Sequence, residues 1–344
     1  MKNYKPFITQ DIKNDEESIY ALELNGKRML QYHISSHECF YFNIDCDKKG
    51  WGNYAAFAKR GNYIYIFPKY TNALVRIDMQ ENAVYKETQL YTESKYAGEA
   101  FQKDEDACFV CGCQCMDTVW LFQDWSNTLV AYDLSTSTWQ KYEIPMKVRN
   151  CVHIIHYNDV LYILSSEGRV YTWNINDCSM ELITDCTSEE EEKNKFSRIA
   201  VTDKMIVMLP GSGKDIVCIS PDTKCTWIYR DYPKQFHYCA PDFWSKYCGF
   251  CENEEKYYFA MRSANYILCI DKRNSVLQWI KPIPFPNEEE FLMFTKYYKN
   301  KLLSEEDWAL RDLLECINSE DDKEKNSIDR ICGEEKIWGV LKKS

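Results

Sequence analysis

Residues 106–117 read DACFVCGCQCMD and hold four cysteines, Cys108, Cys111, Cys113 and Cys115, within eight positions. Thiolates at that density are the usual ligands of zinc and of iron–sulfur clusters. A second doublet, Cys248-Gly-Phe-Cys251, could complete such a set. HIIH (153–156) places two imidazoles three positions apart, and LPGSGKD (209–215) has the glycines and lysine of a phosphate-binding loop. Each stretch changes meaning with the element that carries it, so the elements come next.

Composition sets the frame. The 344 residues are 45% hydrophobic and 28% charged, enough for a full core in one large domain or two smaller ones. Aromatics make up 15% and tyrosine alone supplies 25 residues, while Gly (12) and Pro (10) are scarce, a balance that suits strands. A net charge of −11 argues against a nucleic-acid partner, which clustered Lys and Arg would recognise. No signal-peptide-like or membrane-length apolar run is present, so a soluble, unexported protein of the cytoplasm is expected, with no membrane partner. Seventeen cysteines are an odd number in a long chain, and reduced structural thiols are the expectation.

The chain repeats itself. TNALVRID (71–78), SNTLVAYD (126–133) and ANYILCID (264–271) align without gaps, and EGRVYTWN (167–174) and GKDIVCIS (213–220) are degenerate copies. Upstream of each lies an apolar run centred on Tyr65, Trp120, Tyr162, Val207 and Tyr258, at spacings of 55, 42, 45 and 51 residues. Each unit reads as four short strands, A to D. The A runs are NYAAFA (53–58), CFVCGC (108–113), CVHIIH (151–156), FSRIAV (196–201) and YCGFC (247–251). Asn or Gly at the B–C turn accepts a positive φ. Four-stranded units at this spacing predict a β-propeller. IYALELNGKRMLQY (19–32) and CFYFNI (39–44) supply B, C and D strands of a sixth blade. EFLMFTKYY (290–298) is the candidate for its A strand, which would close the ring with strands from both termini. The prediction is an all-β, six-bladed propeller, with seven blades as the alternative. It spans 18–298, between an N-terminal segment 1–17 and a helical cap over 299–344 carrying SEEDWALRDLLECIN.

NTLVAYDLSTSTWQKYEIP (127–145) resembles the kelch family in its aromatic-Asp pair, polar turn, Trp and following Pro. The Gly-Gly doublet that kelch repeats carry after strand B is absent; Phe122-Gln123, Leu164-Ser165 and Leu209-Pro210 stand there.

In this frame the chemistry shrinks. Along a strand Cys111, Cys113 and Cys115 share a face and Cys108 points away, so four thiolates cannot close on one metal. A metal set drawn from Cys108, Cys111, Cys113, Cys115, Cys248 and Cys251 would need a contact across the ring and is the minor alternative; no metal or cofactor is expected. The Walker pattern needs Gly where Met208 sits, Ser or Thr where Asp215 sits, and a following helix. His153 and His156 lie on opposite strand faces. His153 shares the column of Ala56 and Cys111 near the axis, as does Arg198, and both could meet a ligand there. The rim where B–C and D–A loops emerge carries Tyr70, Trp125, Lys214 and Arg262 on B–C turns, and His237, Tyr238 and Trp244 on a D–A loop. Aromatics beside charges suit a protein, peptide or glycan partner. The sequence therefore points to a non-catalytic binding or scaffold propeller, the alternative being a metal-dependent hydrolase or lyase with its site in the channel.

Overall fold

The computed structural model describes residues 9–14, 17–23, 28–33, 36, 39–44, 54–69, 73–87, 109–123, 127–186, 195–211, 215–234, 247–252, 254–261 and 267–280. These form six four-stranded antiparallel sheets, the blades of a propeller. Blade 1 is β1 (Thr9–Asn14), β2 (Ser18–Glu23), β3 (Arg28–His33) and β4 (Cys39–Asn43). Blade 2 is β5 (Tyr54–Arg60), β6 (Tyr63–Pro68), β7 (Leu74–Asp78) and β8 (Ala83–Glu87). Blade 3 is β9 (Cys111–Cys115), β10 (Thr118–Gln123), β11 (Thr128–Asp133) and β12 (Thr138–Glu143). Blade 4 is β13 (Cys151–Tyr157), β14 (Val160–Ser165), β15 (Arg169–Asn174) and β16 (Met180–Asp185). Blade 5 is β17 (Phe196–Val201), β18 (Ile206–Pro210), β19 (Ile216–Ile219) and β20 (Thr226–Tyr229). Blade 6 is β21 (Tyr247–Glu252), β22 (Lys256–Met261), β23 (Ile267–Asp271) and β24 (Leu277–Ile280).

The expected closure by a C-terminal strand is corrected. The innermost strand of blade 1 is β1, which pairs with β2 from Asp11↔Leu22 to Asn14↔Ile19 and packs beside β21. All four strands of blade 1 thus come from the N-terminal end, and β1 lies inside the 1–17 segment that was expected to precede the ring. Its sequence, TQDIKN, is polar, so a search for apolar runs passes over it. Residues 290–298 and the expected helical cap lie outside the described residues.

The core lies between blades. Ile64, Val119, Leu161, Ile206 and Tyr257, on the second strands, are fully buried, because those strands are covered on both faces. Each large side chain removed from water in this way contributes ~1.5–3 kcal/mol. The fourth strands face outward, and β20 leaves Trp227 and Ile228 exposed.

The Asp column has a structural cause. Asp133 Oδ1 accepts the amides of Ser135 (2.7 Å) and Thr136 (2.9 Å), and the Ser137 amide closes onto the Asp133 carbonyl (2.8 Å). Asp78 holds Gln80 and Glu81 in the same way, and Asp271 holds Arg273 and Asn274. Each turn ends on a left-handed residue: Asn82 (φ 51°), Ser137 (φ 56°), Cys178 (φ 59°), Lys224 (φ 55°) or Ser275 (φ 59°). The repeated Asp is the side-chain cap of the C–D turn.

Candidate ligand site on the propeller axis

Five innermost strands carry the same irregularity. The register shifts by one residue between Thr9 and Asp11, Tyr54 and Ala56, Cys151 and His153, Phe196 and Arg198, and Tyr247 and Gly249. In blade 3 the Val110 amide and Cys111 both address Phe122, which places Cys111 in the same column. A bulge bends a strand and re-aims the side chain that follows it. Here that column is Asp11, Ala56, Cys111, His153, Arg198 and Gly249, one position per blade around the axis.

Two residues further on lies a second row: Lys13, Ala58, Cys113, Ile155, Ala200 and Cys251. Each is the Cα partner of the second-strand column of Tyr20, Tyr65, Trp120, Tyr162, Val207 and Tyr258. The offset is seven residues in every blade, so Tyr20 marks Lys13 in the sequence, a signal the search for apolar runs did not use.

His153 is buried at 7% exposure, and its ring is fixed from two sides. The Ile199 amide of β17 donates to Nδ1 at 3.2 Å, and Phe250 of β21 meets the ring edge to face with centroids 5.3 Å apart. Nδ1 accepts, so the neutral ring carries its proton on Nε2. Burial first, then the positive charge of Arg198, with Lys13 adding to it, holds this imidazole well below the usual histidine pKa. Arg198 is partly buried, and its Nη1 donates to the Ser197 carbonyl at 3.1 Å. His153 and Arg198 both occupy the position that follows the register shift, on the neighbouring inner strands β13 and β17.

The cysteines separate. Cys111 lies between blades, its sulfur 3.3 Å from Cys151 of β13, both at 5% exposure. Cys113 keeps some exposure yet is hemmed in by protein, and its thiol senses Lys13 of blade 1 and Glu252 of blade 6. Those blades lie two and three places away around the ring, and Cys113 also packs against the cluster between blades 3 and 4 that holds Cys111 and Cys151. Burial raises its pKa well above the usual thiol value. Such a sulfur stays protonated at neutral pH and is a poor nucleophile. Among the described residues no three His, Cys, Asp or Glu side chains form a group that could hold a metal ion. Cys108 and the side chains of Cys248 and Cys251 lie outside the described residues.

Further side chains stitch neighbouring blades. Gln114 grips the Lys59 backbone from both ends of its amide, at 3.0 and 2.8 Å. Tyr257 donates to the Val201 carbonyl at 2.9 Å. At the other end of β21, Glu252 pairs with Lys272 at 2.9 Å. Asp11 and Lys13, both on β1, are the charged inner-strand residues that motif reading did not single out.

The bulged column sits where each inner strand begins, opposite the end of the second strand. D–A connections enter and B–C connections leave at this same end. Tyr70, Trp125, Lys214, Arg262, His237, Tyr238 and Trp244 belong to those connections in the chain and lie outside the described residues.

Among solved structures the chain resembles a streptogramin B lyase, with a TM-score of 0.53 and 12% identity over 80% of this chain and 85% of that one. It also resembles the extracellular domain of a protein assigned as a hybrid two component system of B. thetaiotaomicron, with a TM-score of 0.52 and 11% identity over 83% of this chain. This chain spans 35% of the length of that protein. At such identities the likeness shows the propeller fold. No protein-family model and no curated protein sequence matches the chain.

Proposed function

We propose that this propeller is a non-catalytic binding module that engages a protein or peptide segment at the bulged end of its ring. The observation that carries the reading is the fastening of His153 to Ile199 and Phe250. It ties blades 4, 5 and 6 together under the loops and gives that end a rigid floor. Binding loops on a rigid scaffold lose less entropy when they engage a partner. The connections above the floor contain Tyr70, Trp125, His237, Tyr238 and Trp244 beside Lys214 and Arg262, a mixture typical of interface anchors. The chemistry of the inner strands agrees, because His153 is neutral with Nδ1 occupied and Cys113 is held as the thiol.

The ring is in this reading a degenerate kelch-like propeller, supported by the aromatic-Asp pair and its capped turn at Tyr132 and Asp133. Its home is a reducing compartment such as the cytoplasm, where the adjacent thiols of Cys111 and Cys151 persist.

The test is affinity capture from the source cell with the wild type and with a Trp125→Ala, Tyr238→Ala, Trp244→Ala triple variant, beside a glycan array. Proteins retained by the wild type and lost by the triple variant are the expected result. Retention by both overturns the loop-face reading, and array binding without protein capture replaces the peptide by a glycan.

A further inference from the structure

We propose that Cys111 and Cys151 are a reversible disulfide site, a latch across the seam between blades 3 and 4 that closes when a peroxide reaches it.

The geometry is already close to the bond. The two sulfurs lie 3.3 Å apart although they are 40 residues apart in the chain. They belong to the inner strands β9 and β13, which pack side by side, and share a buried cluster with Trp120, Ile154 and Trp173. A covalent S–S bond spans ~2.05 Å, so about 1.3 Å of approach remains, which small rotations of two side chains can supply.

The repeat marks the pair a second time. In the column that follows the bulge, blade 3 alone has a cysteine, Cys111. Two positions earlier stand Thr9, Tyr54, Phe109, Cys151, Phe196 and Tyr247 in blades 1 to 6, so blade 4 alone has a cysteine there. Tyr54, Phe109 and Phe196 are buried aromatics. Close packing fills this position with a ring in those blades. Blade 4 gives up that volume for a thiol, and it does so at the one seam where another thiol waits.

Each of the two cysteines is only 5% exposed, so the oxidant must be small, and hydrogen peroxide is little larger than water. One sulfur attacks a peroxide oxygen, the O–O bond breaks, and a sulfenic acid and a water form. The second sulfur then attacks the sulfenic sulfur. The S–S bond forms as the S–O bond breaks, and the hydroxyl leaves with the thiol proton as a second water. Two thiols have lost two electrons, and the peroxide has become two waters. Thiol reductants return the electrons and reopen the latch. Closed, it encircles β10, β11 and β12, so blade 3 cannot part from blade 4 and the unfolded chain loses loop freedom. Nothing in this step involves a partner on the loop face.

The experiment uses the full chain with Cys178→Ser and Cys225→Ser, which remove exposed thiols, first reduced and then treated with hydrogen peroxide in the folded state. Tryptic mapping without reduction reads the bonds, and thermal unfolding reads their effect. The expected product joins the peptide of Cys151 to that of Cys111, is reversed by dithiothreitol, and melts about 5 °C higher than the reduced protein. Cys111→Ala and Cys151→Ala should each abolish both the joined peptides and the rise. Joined peptides that persist in Cys111→Ala would move the bond to another cysteine and overturn the pair. A bond that forms without raising the melting temperature overturns the latch. Met116, 82% exposed, reports the dose, and thiols at 111 and 151 that survive its oxidation overturn the site. Should either Ala variant not fold, the bond map of the parent decides.

Discussion

His153 on the innermost strand of blade 4 and Phe250 on that of blade 6 meet edge to face, with ring centroids 5.3 Å apart. Blade 5 stands between them in the ring, and its Ile199 amide holds the same imidazole from the side. One side chain therefore couples three blades that the chain order joins only in succession. The two roles need the same ring orientation, so the amide that fixes the plane of His153 also presents its edge to Phe250.

His153→Ala should cost about 1–3 kcal/mol for the stranded Ile199 amide, with ~0.5–1.5 kcal/mol more for the lost aromatic pair. Urea unfolding measures it. A midpoint within error of the wild type would mean that the amide finds water and that the coupling is dispensable.

The pH dependence follows from the sign of the His153 shift. Its folded-state pKa lies well below the ordinary value of 6.5, so below that value the unfolded chain binds a proton that the folded chain refuses. The contribution of His153 is fully present above the unfolded value and is lost as pH falls from there toward the folded pKa, at up to about 1.4 kcal/mol per pH unit. His156, half-buried near Asp159, Glu252 and Lys272 and also shifted down, acts in the same direction. Stability measured from pH 7.5 to 5 should decline in the wild type and decline less in His153→Gln. Equal slopes in the two proteins would assign the loss to other groups.

The sequence made the blades legible through two columns with local causes. The second-strand aromatics follow from burial on both faces, and Asp78, Asp133 and Asp271 follow from a turn that each caps with its own carboxylate. What it hid depends on closure. Strand β1 reads as polar linker because TQDIKN has no apolar alternation, and its Lys13 is only half-buried. The bulges add one residue without breaking the apolar pattern of Tyr54–Ala58 or Phe196–Ala200. His153 and Ile199 are 46 residues apart and meet only when blade 5 docks on blade 4. The cysteine cluster reads as strand in the sequence, but the 3.3 Å approach of Cys111 to Cys151 required the neighbouring blade.

Thiol reactivity should follow burial. Cys178 and Cys225 are exposed, whereas Cys111, Cys151, Cys218 and Cys269 are buried. Burial pushes the Cys218 pKa up to about 12. Iodoacetamide at pH 8 should modify Cys178 and Cys225 in the native protein and reach Cys111, Cys113, Cys151 and Cys218 only after unfolding. Peptide mass mapping reads the order, and early labelling of Cys113 would show a reactive thiol open to solvent.

The Asp turn cap should titrate as an anion held by its own loop. The Ser135 side chain and the amides of Thr136 and Ser135 lower the Asp133 pKa to about 2, although the carboxylate is exposed. The folded pKa lies below the unfolded value, so the stabilisation is present above the unfolded pKa and lost as pH falls toward 2. Asp133→Ala should lower the melting temperature at pH 7, and Asp133→Asn should restore much of it, since Asn174 caps the equivalent turn of blade 4 with its own Oδ1. A carboxyl carbon resonance of Asp133 that titrates near pH 4 would contradict the capping geometry.

Gly112→Ala tests the seam between blades 2 and 3. A Cβ there would lie 2.6 Å from both Leu121 Cδ2 and the Trp120 carbonyl oxygen, and 3.2 Å from the Ala56 Cβ of the neighbouring inner strand. The leucine methyl can rotate away, but the carbonyl belongs to the β9–β10 ladder, in which Leu121 pairs with Gly112. Relief must therefore come from moving β9 against β5. Overpacking of this kind costs about 1–3 kcal/mol. The same movement would strain the Gln114 clamp on Lys59, which joins the same two strands. In Gly112→Ala the expected signature is lost stability together with faster hydrogen exchange at the Lys59 amide. Destabilisation with Lys59 protected as in the wild type would place the strain inside blade 3 and leave the seam intact.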